Sequence, residues 1–472
     1  MSLSSPRFLA SRREFLKHST ATIALSSLAC SDVFGKDDLK QLRLATFQAD
    51  VTPPIGTPLC HGNVKPVAKI AEPLTARGII LCPGGRKPIV LCIVDYVNIG
   101  NASNDLWRKA LAEAAGTTPQ RVTVHTVHLH TAPGVDASTE ALLAKNGLGG
   151  TMFSPQAEAA ARRATAKAAS AAMKSGLEPV THIGTGKGRV EKFASNRRIL
   201  GPDGKVQYTR MSSCRNPKIR AFPEGTIDAD VRAVTFYNQD RPLAILSYYA
   251  THPQSYYNDG IVSHDTVGVA RAIREQALPG TAVLHFDGAG GDIAAGKYND
   301  GSHENREILG RRLAEGMRLA WEDTIKTSVD ADSVKWKTVE ARLPVRKTIK
   351  EDAKRKILAD TSKSRRDRVF AARNLAFLHR MQSAGLLLGS LHIGPVKIVH
   401  MPGELCIGYQ LAAYEMAPDD FVCLAAYGDV GPGYIPLAEQ FPQGGYEASH
   451  VCRVDPAVED ILMQAMRRML AE

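Results

Sequence analysis

The sequence predicts an α/β fold: a mixed, largely parallel sheet with helices on both faces. Three observations carry that expectation. Short runs rich in Val, Ile and Leu alternate with helical stretches, several of those stretches carry their own start and stop residues, and no internal repeat or low-complexity linker interrupts the alternation. In an open sheet of this kind, ligands gather in the crevice outside the carboxyl ends of the strands, so residues far apart in sequence can share one site there.

The elements follow in order from about Leu42. Pro88 to Tyr96 reads as a buried strand, Asn104 to Ala115 as a helix capped from Ser103, and Val122 to Val127 as the next strand. Pro155 to Ser175 is an alanine-rich helix with Ser154 as its N-cap, Pro155 in its first turn and Gly176 as its stop. Leu243 to Ala250 and Thr281 to Phe286 are strands with a helix from about Thr266 between them, and Asn305 to Glu322 is helical. Val396 to His400 and Phe421 to Ala426 are strands separated by a helix after Glu404, and Asp455-Pro456 opens the last helix. A basic helical stretch near 347–385 reads as an insertion outside the sheet, so residues 36–472 form a single domain carrying one insertion.

Composition narrows the class. The chain of 472 residues is 44% hydrophobic and 23% charged, as expected of a globular protein with a sizeable core. Its net charge of +11 raises the question of nucleic acid. Most of the local excess lies between Lys347 and Arg380, with no aromatic platform and no nucleic-acid motif, so no nucleic-acid partner is expected. A solvated helical face explains the charge, with peripheral contact to an anionic membrane as the alternative. None of the eight cysteines forms a C-x-x-C pair, and buried free thiols are expected. Ser11-Arg12-Arg13-Glu14-Phe15-Leu16-Lys17, followed by the mildly apolar Ala21 to Ala29, reads as a twin-arginine export signal over residues 1–35, with cleavage after Gly35. A periplasmic or secreted protein follows; lipid anchoring at Cys30 is the alternative, against which Ser27-Leu28-Ala29 is a poor lipobox. No later run reaches the ~18–20 apolar residues that span a bilayer.

Four strands end in side chains able to bind a metal. The Val122 strand leads to His128, with His130 two residues on; residues two apart on a strand share a face, so the pair should converge while His125 points away. The Leu243 strand leads to His252, the Val396 strand to Glu404 and the Phe421 strand to Tyr434. Two imidazoles, a carboxylate and a phenolate form a nitrogen and oxygen set suited to Zn²⁺. Each residue also has a plain structural reading: His128 and His130 hydrogen-bonded in a polar loop, His252 a satisfied loop histidine, Glu404 an acid placed for a helix dipole, Tyr434 a turn aromatic.

Six motifs occur in one order along the chain. They are His128-Leu129-His130-Thr131-Ala132-Pro133-Gly134, Ser195-Asn196-Arg197, His252-Pro253, Ser263-His264-Asp265, Pro402-Gly403-Glu404, and Tyr434 with Tyr446, the latter within Gly445-Tyr446-Glu447-Ala448-Ser449. In residues and order they resemble the catalytic domain of the neutral, non-lysosomal ceramidases, zinc amidases that cleave the N-acyl bond of ceramide. The resemblance implies a zinc held by His128, His252, Glu404 and Tyr434, with His130, Arg197 and Tyr446 facing the substrate. It implies zinc-activated water as the nucleophile on an acyl amide of a small molecule or lipid, His130 as general base and then acid, and Tyr446 and Arg197 stabilising the oxyanion. Asp292 and Asp265 would orient ligand histidines or cap the turns they precede, and Gly288 to Gly291 would let backbone approach the site.

Two departures stand out. The family's Gly-Asp-x-Ser-Pro-Asn is here Gly291-Asp292-Ile293-Ala294-Ala295-Gly296, with alanine at the serine position, and with one helix between the tyrosines and Glu472 the immunoglobulin-like C-terminal domain of many family members is not expected. Ala294 keeps two alternatives open: a non-catalytic, zinc-stabilised lipid or glycolipid binder, and a zinc esterase or peptidase acting on another acyl compound. The sequence does not fix the oligomeric state.

Overall fold

Three sheets organise the chain in the computed structural model, which describes residues 40–471; the twin-arginine stretch and Cys30 lie outside the described residues. The first sheet has the strand order Val122–Thr126, Ile89–Val94, Thr75–Pro83, Leu42–Asp50, Glu178–Val180. The second has the order Ala282–Asp287, Arg241–Tyr249, Asp230–Asn238, His182–Arg189, Ile325–Ser328. The third has the order Val334–Ala341, Leu386–Ile393, Val396–His400, Phe421–Ala425.

The largely parallel sheet expected from the alternation is not what forms. Each sheet holds one parallel pair at one edge, Val122–Thr126 with Ile89–Val94, Ala282–Asp287 with Arg241–Tyr249, and Phe421–Ala425 with Val396–His400. The other pairings within these sheets are antiparallel. Connection length decides this. Only Gln239 and Asp240 separate Asp230–Asn238 from Arg241–Tyr249, and only Gly394 and Pro395 separate Leu386–Ile393 from Val396–His400. A two-residue link can only turn the chain back on itself, and Gln239 and Gly394 take the positive φ of +54° and +53° that such turns demand.

The expectation of helices on both faces is corrected as well. Helices Ala102–Ala115 and Pro155–Ser175 lie on the first sheet and Glu304–Glu322, with Asp265–Ala277 beside it, on the second, while the opposite sides of the two sheets meet each other. Arg77 of the first sheet, for example, donates to Val283 O of the second at 3.1 Å. Gly184, Gly186 and Gly188 alternate along one strand, so all three face the helix Glu304–Glu322; a β-carbon at 186 or 188 would overlap the carbonyl oxygens of Ala320 and Gly316. Helix Val458–Leu470 packs on the third sheet. Ser154 caps Pro155–Ser175 as read from sequence, its Oγ accepting from Ala157 N at 3.2 Å.

The edges carrying the parallel pairs meet at the centre of the molecule. His125, Phe286 and His400, one from each sheet, bring their ring centroids to between 5.0 and 6.4 Å of one another. His125 does point away from His128, and its Nε2 lies 3.0 Å from His400 Nδ1. The basic stretch forms two helices, Glu351–Ala359 and Arg365–Ser383, between two strands of the third sheet. They pack on each other, with Arg368 Nε donating to Leu358 O at 2.8 Å. Cys60, Cys92, Cys406, Cys423 and Cys452 are buried free thiols. Among the described residues no helix is long and apolar enough to cross a membrane.

Candidate metal centre

Loops that follow strands of the three parallel pairs supply the site. The first strand ends at Thr126, one residue earlier than the sequence suggests, and His128 has a φ of +54° in the left-handed region. His128 and His130 therefore converge through a loop and not through strand alternation; their Nε2 atoms lie 3.4 Å apart. His252 follows the strand ending at Tyr249, and Glu404 the strand ending at His400. Glu404–Leu405 and Tyr434–Ile435 form a short parallel ladder in which Glu404 is level with Tyr434. Residues level across a ladder project to the same side, so the carboxylate and the phenol enter the site together.

Both imidazoles are fixed from behind by backbone carbonyls. His128 Nδ1 lies 2.7 Å from Val97 O, and His252 Nδ1 lies 2.7 Å from Gly290 O and 3.1 Å from Ile293 O. A carbonyl only accepts, so each Nδ1 carries the proton and each Nε2 presents a lone pair. Those lone pairs meet the Glu404 carboxylate, whose Oε2 is 3.2 Å from His128 Nε2 and 3.4 Å from His252 Nε2 and receives no hydrogen bond. The three residues are 3%, 1% and 7% exposed, so water cannot supply the missing donors freely. Three buried acceptors aimed at one point repel one another unless a cation lies between them. Their ligand atoms all fall within 4.8 Å of one another, so His128, His252 and Glu404 form a group able to hold a metal ion. The hydroxyl of Tyr434 is 3.0 Å from His252 Nε2 and could serve as a fourth ligand atom.

Protonation states agree with that use. Burial, reinforced by the Arg197 charge, lowers His252 to about 4, which leaves it neutral at pH 7 as a ligand must be. Burial and the neighbouring His128 hold His130 well below the usual histidine range, so it is neutral at pH 7. Burial raises the Tyr434 hydroxyl, against the opposing pull of Arg197, and raises Tyr446 likewise.

The remaining residues singled out from sequence surround this set. Tyr446 lies 5.4 Å from Tyr434, ring to ring, and His130 packs edge-on against Tyr257 at 5.0 Å. Arg197 sits 5.1 and 5.3 Å from the Tyr434 and Tyr446 rings, with Nε donating to Glu447 at 2.6 Å and Nη2 to Gly291 O at 2.7 Å. Asp292 accepts from Ile407 N at 2.7 Å at the start of helix Ile407–Met416, and Asp265 accepts from Ser255 N at 3.1 Å and Thr266 N at 2.7 Å; neither carboxylate bonds a ligand histidine. Gly291 N donates to Leu405 O at 2.6 Å, and a β-carbon there would overlap Glu404 O, so the glycine run does allow a close backbone approach. Ala294 is fully buried and pairs with Ser195, whose Oγ donates to Ala294 O at 2.9 Å. Sequence reasoning missed the orienting carbonyls of Val97 and Gly290, which no side chain announces. It also missed Tyr427, whose ring lies 4.7 Å from that of His128; its place in Tyr427-Gly428-Asp429, just after a strand, was the available signal.

No family model and no curated protein sequence matches this chain. Solved structures do. A ceramidase complexed with C2 superposes with a TM-score of 0.66 at 16% identity, over 91% of this chain and 75% of that one. A neutral ceramidase from Pseudomonas aeruginosa superposes with a TM-score of 0.65 at 17% identity, over 91% of this chain and 74% of that one. Over nearly its whole described length, therefore, this chain has the fold of the neutral ceramidases, the family that the order of its motifs resembles.

Proposed function

We propose that the chain is a zinc-dependent hydrolase that cleaves the amide bond of an N-acyl, ceramide-like compound. One observation carries the reading: two buried imidazoles, their tautomers fixed by carbonyls, face a buried Glu404 oxygen that receives no hydrogen bond. The fold shared with ceramidases supports the reaction class, and the neighbour complexed with C2 supports a lipid amide.

His128, His252, Glu404 and Tyr434 would hold the ion. When bound, zinc polarises a scissile carbonyl and lowers the pKa of water from 15.7 to about 7, which makes a nucleophile available near neutral pH. His130, neutral and 3.4 Å from His128 at its Nε2, takes up a proton and returns it to the leaving amine. Tyr446 directs its hydroxyl toward the developing oxyanion. Arg197 holds Tyr434 and Tyr446 in place and adds its positive charge to that side of the site. Ala294 removes a hydroxyl from this surround; loss of one such donor costs on the order of 10²- to 10³-fold, which slows a water-based reaction without abolishing it. We further propose that residues 1–35 direct export through the twin-arginine route, from the Arg12-Arg13 motif.

The test is metal analysis of the purified protein beside His128→Ala, with turnover of N-acylsphingosine and simpler N-acyl amides before and after chelation. Stoichiometric zinc that is lost in the variant, with turnover lost on chelation, is the expected result. Equal zinc in both proteins removes the proposed ligand set, and saturable binding without product makes the chain a lipid-binding protein instead.

A further inference from the structure

Two guanidinium groups beside the candidate metal centre have no carboxylate within ion-pair distance among the described residues, Arg373 and Arg453. Arg453 is 2% exposed; its Nη1 donates to Gly431 O at 3.1 Å, three residues before Tyr434, and its buried Nε makes no hydrogen bond. Arg373 is partly buried on helix Arg365–Ser383 and makes no hydrogen bond either. That helix is fastened against two loops of the site. Arg365 Nη2 donates to Gly62 O at 2.6 Å, next to Cys60 and His61, and Phe370 meets the ring of His450 at 5.2 Å, three residues before Arg453. Arg373 stands three residues after Phe370, on the same helix face, so it looks toward those loops.

The charge of Arg373 reaches the site from there. It lowers the protonation of His61 and of Arg453, and the charges of Glu404 and Tyr446 favour its own protonated form. Two carboxylates act on it in return, and neither is available as a partner. Asp136 already accepts from Ser138 N, Thr139 N, Thr139 Oγ1 and Asn101 Nδ2, and Glu404 faces the two imidazoles. Arg197 and Arg198, by contrast, share Glu447. A half-buried guanidinium with no acceptor in the protein is open to one from a ligand, and its planar donors match a carboxylate or phosphate.

We infer that Arg373, backed by the charge of Arg453, receives an anionic group of the substrate. The preferred compound is then an N-acyl amide with a carboxylate or comparable anion near its scissile bond, in preference to neutral ceramide. The inference rests on the hydrolase reading for the reaction and adds the charge of the substrate. It makes the basic helical pair part of the site wall instead of a plain solvated face.

Matched lauroyl amides test it: N-lauroylglycine against N-lauroylethanolamine, with the ethanolamide of a dicarboxylic acid as a third arm that moves the anion to the acyl half. Each is assayed with the metal-loaded full chain, with Arg373→Gln, and with Arg366→Gln as a control of equal charge change at an exposed position of the same helix. Binding of each compound to chelated protein is measured in parallel by calorimetry. The expected result is a kcat/KM preference for an anionic member that falls at least about tenfold in Arg373→Gln, as loss of one charge-assisted hydrogen bond gives, and persists in Arg366→Gln. Arg373→Lys should recover part of it, and the arm preferred shows which half carries the anion. Equal handling of charged and neutral amides by the wild type, or a preference that Arg373→Gln leaves intact, overturns the inference. Absence of turnover on every amide refutes the hydrolase reading alone, because the binding arm still decides the charge preference.

Discussion

Removing the guanidinium of Arg197 is the perturbation whose cost the structure defines best. Its side chain is 1% exposed and its partner Glu447 0%, with 2.6 Å between Nε and Oε1. Glu447 would keep Arg198, 2.8 Å from its other oxygen, so Arg197→Met does not strand a wholly unpaired charge. What it loses is one charge-assisted hydrogen bond, about 1.5–3 kcal/mol, and the donor to Gly291 O at 2.7 Å, whose buried carbonyl left unsatisfied costs about 1–3 kcal/mol. The expected destabilisation is about 3–5 kcal/mol, in the range for breaking a buried pair by removing one partner. Urea unfolding of metal-free Arg197→Met, Glu447→Gln and the double variant measures it. The double variant should be less destabilised than the sum of the singles by about 1–3 kcal/mol, since the two share one interaction. A loss below about 1 kcal/mol, or strictly additive singles, would refute the reasoning that this pair fastens the glycine loop to the tyrosine side of the site.

Three further outcomes follow from the same geometry. Gly291→Ala places a β-carbon against Glu404 O and should weaken zinc affinity about 10- to 100-fold in a competitive chelator titration, as loss of a supporting contact does; unchanged affinity means that the backbone approach is not needed. Metal-free protein should lose stability as pH falls from 6.5 toward 4. Burial lowers His125 and His252 to about 4 and His285 to about 3, and holds His61, His130 and His400 well below the usual range, so the unfolded chain binds protons that the folded one refuses. The raised carboxyls of Asp265, Asp287, Asp292 and Asp429 act in the opposite sense but are fewer, which leaves a slope on the order of 1.4 kcal/mol per pH unit for each histidine in excess. Stability that is flat or rises on acidification, followed by urea midpoints, contradicts this. Ala294→Ser should change amide turnover by no more than about 10²- to 10³-fold, the worth of a single positioning donor; detectable turnover only with serine present would make that hydroxyl the nucleophile.

Local structure was legible where side chains carry the signal. Ser154 and Pro155 marked a helix start that the structure reproduces, and the Val, Ile and Leu run Ile89–Val94 is fully buried in a sheet. Strand direction was not legible from alternation alone, because a two-residue link such as Gln239-Asp240 decides it and contains no glycine or proline to announce a turn. His128, His252 and Glu404 each stand shortly after a strand, a position legible in sequence, whereas His128 and His130 converge through a left-handed residue in a loop, which strand alternation does not announce. The carbonyls of Val97 and Gly290 that set the imidazole tautomers belong to backbone, and backbone leaves no mark in the order of side chains. Arg373 was hidden for a different reason: among the many basic residues of its stretch, only the packing of Phe370 on His450 distinguishes it.

The central claim is that one divalent cation joins residues drawn from four separate segments of the chain. Anomalous diffraction from crystals of the purified protein, recorded on either side of the zinc absorption edge, tests it most directly. A single zinc peak bonded at ~2.0–2.2 Å to Nε2 of His128 and His252, a carboxylate oxygen of Glu404 and the hydroxyl oxygen of Tyr434 is the predicted result. A peak elsewhere, or none in protein shown to be catalytically active, would contradict it.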